Sequence, residues 1–288
     1  MPVTTLPASR SEAATPRQHH RRYLMCRPEH FTVSYRINPW MEPARPTDTA
    51  LALRQWQALY DTYLALGHEV ELIDAVPGLP DMVYTANGGF TLDGVAYGAR
   101  FRFPERAAEA DHFNTWFTGH GFDLVVPQEV NEGEGDFLLA GDLILAGTGF
   151  RSTGDSHREV AEVFGREVVS LTLVRPHFYH LDTALTILDP VVAEGGTATV
   201  AYLPEAFDDA SLGVLADLFP DAIRVGAEDG AVFGLNSASD GRNVLVSPRA
   251  TGFAAQLAER GYNPVTVDLS ELLLGGGGIK CCTLELRG

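Results

Sequence analysis

A thiol, an imidazole and several carboxylates stand at polar positions in this sequence, each next to residues that suit packing. Cys281 follows four consecutive glycines, His180 and Asp182 are two apart, and Glu132, Glu134 and Asp136 alternate with glycine. Together these groups suit nucleophilic attack on an electron-poor carbon, with histidine shuttling the proton. Taken alone, His180 reads as a structural histidine and the cysteines as inert buried thiols. A glycine run packs no side chain and gives up backbone entropy, so it marks a place of close backbone approach, here expected to be to a ligand. Residues 279–286 read as a strand, which puts Cys281 and Thr283 on one face and Cys282 on the other. Cys281 is assigned to the pocket and Cys282 to packing. His180 and Asp182, on an expected strand, project from the same face. Zinc is disfavoured because no H-x-x-x-H or C-x-x-C spacing occurs, and phosphate because no strand-to-helix step or GK[ST] follows the glycines.

Groups so far apart in sequence need a fold that gathers them. Asp48 reads as the N-cap of a helix that stops at Gly67, and helices are expected over 105–120, 155–164, 204–218 and 251–260, with Gly121, Gly165 and Gly261 as stops. Each helix is followed by an apolar strand pattern. These helix-then-strand units start roughly 47 to 57 residues apart, the spacing of a repeat architecture. Between them lie five polar strand starts, containing Asn87, Glu132, His180 with Asp182, Asn236, and Cys281. Five units around an axis would bring these to one mouth, which favours one closed α/β domain over 22–288 after a flexible tail of residues 1–21.

The composition excludes several partners. The 288 residues, 45% of them hydrophobic, can bury a sizeable core, and the formal charge of -17 makes nucleic acid and anionic membrane poor partners. Such a surface attracts a small cation. Three cysteines do not make a disulfide framework, no apolar run is long enough to span a membrane, and no signal-peptide pattern opens the chain, so a reducing cytoplasm is expected.

Gly-Gly-Gly-x-x-x-Cys-x-Thr near the C-terminus, His180-Leu-Asp-Thr183 and Glu132-Gly-x-Gly-Asp136 resemble the guanidino-group-modifying enzymes: arginine deiminase, agmatine deiminase, dimethylargininase and amidinotransferase. Leu24-Met-Cys-Arg-Pro, Ile37-Asn-Pro-Trp-Met41 and Tyr84-Thr-Ala-Asn87 narrow the resemblance to the arginine dihydrolases, which convert arginine to ornithine. The resemblance implies a five-bladed α/β propeller (the pentein fold), a small cationic guanidino substrate, and no metal or organic cofactor. It implies Cys281 as nucleophile, His180 as general acid and base, Glu132 as both the partner that orients His180 and a substrate ligand, and Asp182 as a ligand of the guanidinium. Asn38, Asn87, Arg102 and Arg151 are implied in substrate binding, the two arginines on the α-carboxylate. One departure is the extra residue in Glu132-Gly-Glu134-Gly-Asp136, which sets Glu132 and Glu134 in competition; Glu132 is preferred. Where arginine deiminase carries an aspartate in Phe-Thr-Arg-Asp, this chain has Asn87, whose amide can also donate, as a neutral ureido oxygen requires. Arginine dihydrolase is therefore ranked first, dimethylargininase second, and a deiminase stopping at citrulline third. Self-association is left open.

Overall fold

The computed structural model describes residues 16–190 and 198–288. In chain order, β1 (Arg22–Cys26), α1 (Thr49–Ala65) and β2 (Glu69–Ile73) are followed by β3 (Gly89–Leu92), β4 (Val95–Gly98), the short α2 (Pro104–Ala107), α3 (Glu109–Gly119) and β5 (Asp123–Val125). Next come β6 (Phe137–Ala140), β7 (Leu143–Thr148), α4 (Gly154–Phe164) and β8 (Glu167–Thr172), then β9 (Leu185–Asp189), β10 (Thr199–Tyr202), α5 (Asp209–Leu218), β11 (Ile223–Arg224) and the short α6 (Ala227–Gly230). The chain closes with β12 (Ala238–Ser239), β13 (Asn243–Val246), α7 (Thr251–Glu259), β14 (Asn263–Thr266) and β15 (Leu284–Glu285).

These strands form five three-stranded sheets with one order: β15-β1-β2, β3-β4-β5, β6-β7-β8, β9-β10-β11 and β12-β13-β14. In each, the first pair is antiparallel and the second parallel. A parallel pair needs a crossover, and a helix supplies it every time. One sheet joins the two ends of the chain, with Tyr23 opposite Glu285 and Leu24 opposite Leu284. Within the expected tail, residues 1–15 lie outside the described residues, while the His19 N–H donates to Asp240 O at 2.7 Å and Gln18 Nε2 to Leu66 O at 2.6 Å.

Local chemistry sets the helix ends. Asp48, Thr153 and Asp208 cap α1, α4 and α5 by accepting from Leu51, Ser156 and Ser211 N–H groups. Two helices expected to be continuous are interrupted. The 105–120 helix divides at Ala108 into α2 and α3, and the 204–218 helix becomes a 3-10 turn, Pro204–Ala206, before Asp208 caps a new start. The larger correction concerns the polar segments, which turn where strand was expected. One-turn 3-10 helices span Thr85–Gly88, Gly133–Gly135 and Leu181–Thr183, each followed by a strand. Asn, Asp, Thr and Gly favour such turns because their side chains or free φ offer the backbone an alternative to a ladder. Likewise only Leu284 and Glu285 of the expected 279–286 strand pair; the preceding residues turn, with Cys282 N–H bonded to Gly278 O and Thr283 N–H to Lys280 O.

The helices lie against these sheets through wholly buried side chains. Trp56, Leu59 and Tyr63 of α1 pack with Tyr23 and Met25 of β1 and with Ile279, Cys281 and Cys282, so α1 supports the turn that carries the thiols. Among the described residues no helix is long and apolar enough to cross a membrane. Trp56→Ala should cost about 3–5 kcal/mol, since the cavity beneath α1 cannot fully collapse; a lowered urea midpoint checks it, with Cys281 alkylation rising alongside.

Candidate active site

The turns aim their polar groups at one buried cluster. Cys281 Sγ–H donates to Asp182 Oδ2 at 3.3 Å. His180 Nε2 lies 2.8 Å from Glu132 Oε2, which also accepts from Arg151 Nη1 at 2.8 Å. Glu132 precedes a turn that needs Gly133: its φ is +53°, and a Cβ there would meet Gly89 N at 2.6 Å and Ala86 O at 2.7 Å. His180 is held by the next turn, where the Thr183 hydroxyl donates to His180 O at 2.7 Å and Asp136 Oδ1 accepts the Leu181 N–H at 3.1 Å. His180 and Asp182 thus reach the site around a turn, not along one strand face. Thr283 likewise does not share Cys281's face; its hydroxyl meets Tyr63 OH at 2.9 Å and donates to Ile279 O at 2.8 Å. Cys282 is buried in the packing beside Cys26.

The glycine run approaches protein, not open space. A Cβ at Gly277 would strike the Tyr84 ring, and one at Gly276, whose φ is +88°, would fall 2.6 Å from Asn38 Nδ2. Tyr84 OH donates to Leu272 O and Tyr179 OH to Gly276 O, both at 2.6 Å. The expectation of a ligand against these glycines is corrected: side chains already fill that volume.

The two competing carboxylates separate cleanly. Glu132 faces His180 and Arg151, whereas Glu134 accepts from Lys280 Nζ at 2.6 Å, from the Glu285 N–H at 2.9 Å and from Arg287. Glu134 thereby ties down the C-terminal segment that carries Cys281. Burial alone would raise the Glu132 carboxyl, but Arg151 and then His180 outweigh it and hold it below the usual range. Asp182 responds the other way: burial raises it from 3.8 to about 6, against the pull of His180 and Lys280. Burial, then Asp182, pushes the Cys281 thiol well up, so it rests protonated. Because the Glu132 carboxylate accepts from Nε2, His180 keeps Nδ1 free to move a proton. Nδ1 and Asp182 Oδ1 are buried without a hydrogen-bond partner among the described residues.

The remaining expected residues divide. Arg151 is buried between the rings of Phe103 and Tyr179, 4.7 and 4.6 Å from their centroids, and its Nη2 donates to Ile37 O at 3.0 Å. Asn38 is committed to structure: Nδ2 donates to Gly275 O at 3.1 Å and Oδ1 accepts the Trp40 N–H at 2.9 Å, pinning loop 37–41 over the site. Arg102 is exposed and reaches the cluster only through its backbone N–H, 3.3 Å from Glu132 Oε1. The buried arginine of this segment is Arg106, which sequence reasoning missed. Its Nη1 donates to Asn87 Oδ1 at 2.7 Å, and its other nitrogens pair with Glu109. A signal was present, since Arg106 and Glu109 stand three apart in a helical pattern. Asp81 was also missed; it accepts from Tyr35 OH at 2.9 Å, feels the charges of Arg106 and Arg151, and keeps Oδ1 without a hydrogen-bond partner among the described residues. Asn236, on the fourth polar segment, contacts the thiol directly, its Nδ2 lying 3.1 Å from Sγ.

The raised Asp182 gives a pH signature. The folded state keeps this proton up to about pH 6 and the unfolded state releases it near 3.8, so Asp182 stabilises most below pH 4 and that contribution is lost as pH rises to 6. The loss is on the order of 3 kcal/mol. Urea midpoints measured between pH 4 and 7 should therefore show a downward component in the wild type that is absent in Asp182→Asn.

No family model matches the chain. It is 54% identical over 273 residues, 95% of its length, to N(G),N(G)-dimethylarginine dimethylaminohydrolase of Mycobacterium tuberculosis, and covers 87% of that protein. It is 37% identical over 272 residues to the bifunctional arginine dihydrolase/ornithine cyclodeaminase ArgZ of Synechocystis, of which it spans 37%. A point variant of the N-terminal domain of ArgZ, solved covalently bonded to a reaction intermediate, superposes with a TM-score of 0.85 at 35% identity, over 93% of this chain and 98% of that one. The chain belongs to the pentein-type guanidino-modifying enzymes and is a hydrolase of guanidino C–N bonds.

Proposed function

We propose that this enzyme is an arginine dihydrolase, converting arginine to ornithine, carbon dioxide and two ammonias. Cys281 attacks the guanidinium carbon, His180 protonates the departing ammonia, and water deprotonated by His180 cleaves the thiouronium to give citrulline. Asp182 holds the guanidinium nitrogens, and Glu132 orients His180. Arg151, held by Glu132, meets the α-carboxylate of the amino acid, and the Asp81 oxygen that has no hydrogen-bond partner among the described residues accepts from its α-amino group. A second attack on the ureido carbon expels the second ammonia. Water then cleaves the thiocarbamate to an N-carboxylate, which loses carbon dioxide to leave ornithine. The covalent intermediate held by the ArgZ domain supports the covalent route.

The observation that carries the two-step reading is the orientation of Asn87. Arg106 can only donate, so Asn87 must turn Oδ1 to it. Its Nδ2 therefore faces the site beside Glu132 O, at 3.5 Å, and beside Gly135, where a Cβ would strike it. An N–H donor there receives a neutral ureido oxygen, which another carboxylate would repel. Dimethylargininase is the second reading, favoured by the 54% identity to the mycobacterial protein.

The same proposal takes 22–288 as one domain, a five-bladed α/β propeller with pseudo-fivefold repeats. The shared strand order of five sheets and the meeting of five turns support it. Three free, buried cysteines suit a cytoplasmic enzyme.

Incubation of the pure protein with arginine and, separately, asymmetric dimethylarginine should give ornithine from arginine, and Asn87→Asp should shift the product toward citrulline. Citrulline and dimethylamine from the methylated substrate, with no ornithine from arginine, would establish the second reading instead. Cys281→Ser should abolish ammonia release while Cys282→Ser retains it; the reverse result would move the nucleophile.

A further inference from the structure

We infer that Asn236 is a catalytic residue that holds the sulfur of Cys281 in register and stabilises its thiolate. Both ends of its amide are used on the nucleophile. Nδ2 donates to Cys281 Sγ at 3.1 Å and to Asp182 O at 3.2 Å, while Oδ1 accepts the Cys281 N–H at 3.2 Å. The reversed amide would set its oxygen against a carbonyl and a sulfur lone pair, so the orientation is dictated by its partners. The Asn236 backbone carbonyl accepts the Lys280 N–H at 3.3 Å, which adds a third tie to the cysteine turn.

Packing and backbone both favour this placement. A Cβ on Gly278 would lie 2.8 Å from Asn236 Oδ1, so the last glycine of the run is the one that lets the amide reach Cys281. Phe233, whose carbonyl accepts the Asn236 N–H at 3.1 Å, has a φ of +59°, a left-handed conformation unusual for a bulky residue. Strain of that kind persists where surrounding structure demands it, and clusters at functional sites.

The chemical need follows from burial. The thiol is wholly enclosed, and its proton points at a carboxylate that cannot stabilise the anion. A sulfur anion formed there requires donors aimed at it in advance. Among the described residues Asn236 supplies the one side-chain N–H bonded to Sγ, beside a backbone donor at Gly278. Asp182 faces the sulfur and opposes its charge; Tyr84, Tyr179 and Cys282 lie near it too, but burial raises all three and keeps them neutral, while Lys280 and His180 act on Asp182. The Asn236 bond gains strength as the proton leaves, because it becomes charge-assisted.

This inference rests on Cys281 as nucleophile, and its test separates the two. Iodoacetamide alkylation would be followed against pH, with the label located on Cys281 by mass spectrometry, alongside steady-state kinetics. Asn236→Ala should move the alkylation profile up by about 1–2 pH units and lower kcat/KM about 10- to 100-fold, with KM little changed. Asn236→Asp, nearly isosteric, should move the profile further the same way, and it carries the test if the alanine variant fails to fold. An unchanged alkylation profile in the folded variants, or a loss confined to KM, overturns the assignment. Retained turnover in Cys281→Ser overturns the nucleophile itself, whatever the Asn236 variants show.

Discussion

The site depends on one fully buried carboxylate, Glu132. A charge removed from water survives only where partners replace its hydration, and losing one partner of a buried pair typically costs about 3–5 kcal/mol. Here one oxygen takes Arg151 and His180 and the other the Arg102 N–H. Arg151 is in turn clamped between two aromatic rings and bonded to the Ile37 carbonyl, so loop 37–41 is tied to the same charge. Histidine tautomer, loop position and the arginine's orientation are thus settled by one anion before any substrate enters.

Glu134, two residues on, does an equivalent task for the segment that carries Cys281. Lys280, the Glu285 N–H and Arg287 all converge on it from the C-terminal segment, while β15 pairs with β1 from the other end of the chain. The extra residue in the Glu-Gly-x-Gly-Asp motif is therefore explained by position. One turn, Gly133–Gly135, points its flanking carboxylate at the histidine and its internal one at the segment bearing the cysteine. Such a turn couples two parts of the site that lie far apart in sequence.

Much of this was legible because it is local. N-caps at Asp48 and left-handed stops at Gly67, Gly121, Gly165 and Gly261 depend only on neighbouring residues, and they appear where the spacing puts them. The five polar segments were expected to meet because a helix-then-strand order recurs in the sequence, and the five sheets share one strand order. The turn at Cys281 was not. Ile279 to Leu286 alternates well enough to read as strand, but the Ala86 N–H takes the Cys281 carbonyl and Asn236 takes its N–H. Those partners are remote in sequence, so no local pattern reports them. Arg102 and Arg106 differ in the same way: both lie beside Phe-Pro-Glu, and only packing against Glu109 and Asn87 selects the second for the interior.

On the proposed reading the enzyme faces two electrophiles of different charge. Arginine brings a cation to a protonated thiol beside carboxylates, and that charge favours the thiolate at the moment of attack. Citrulline brings none, so the second attack cannot draw on the same help. Fixed donors have to replace it, and two amides are already aimed where charge develops: Asn87, whose oxygen is held by Arg106, toward the substrate, and Asn236 toward the sulfur. A carboxylate at position 87 would bind the first electrophile more tightly and the second worse. Such a site would release citrulline, because binding energy spent on the cation's ground state does nothing for the neutral intermediate's transition state. An amide gives up some affinity for arginine and keeps the ureido group within reach of the thiol, which is the condition two successive hydrolyses in one pocket must meet.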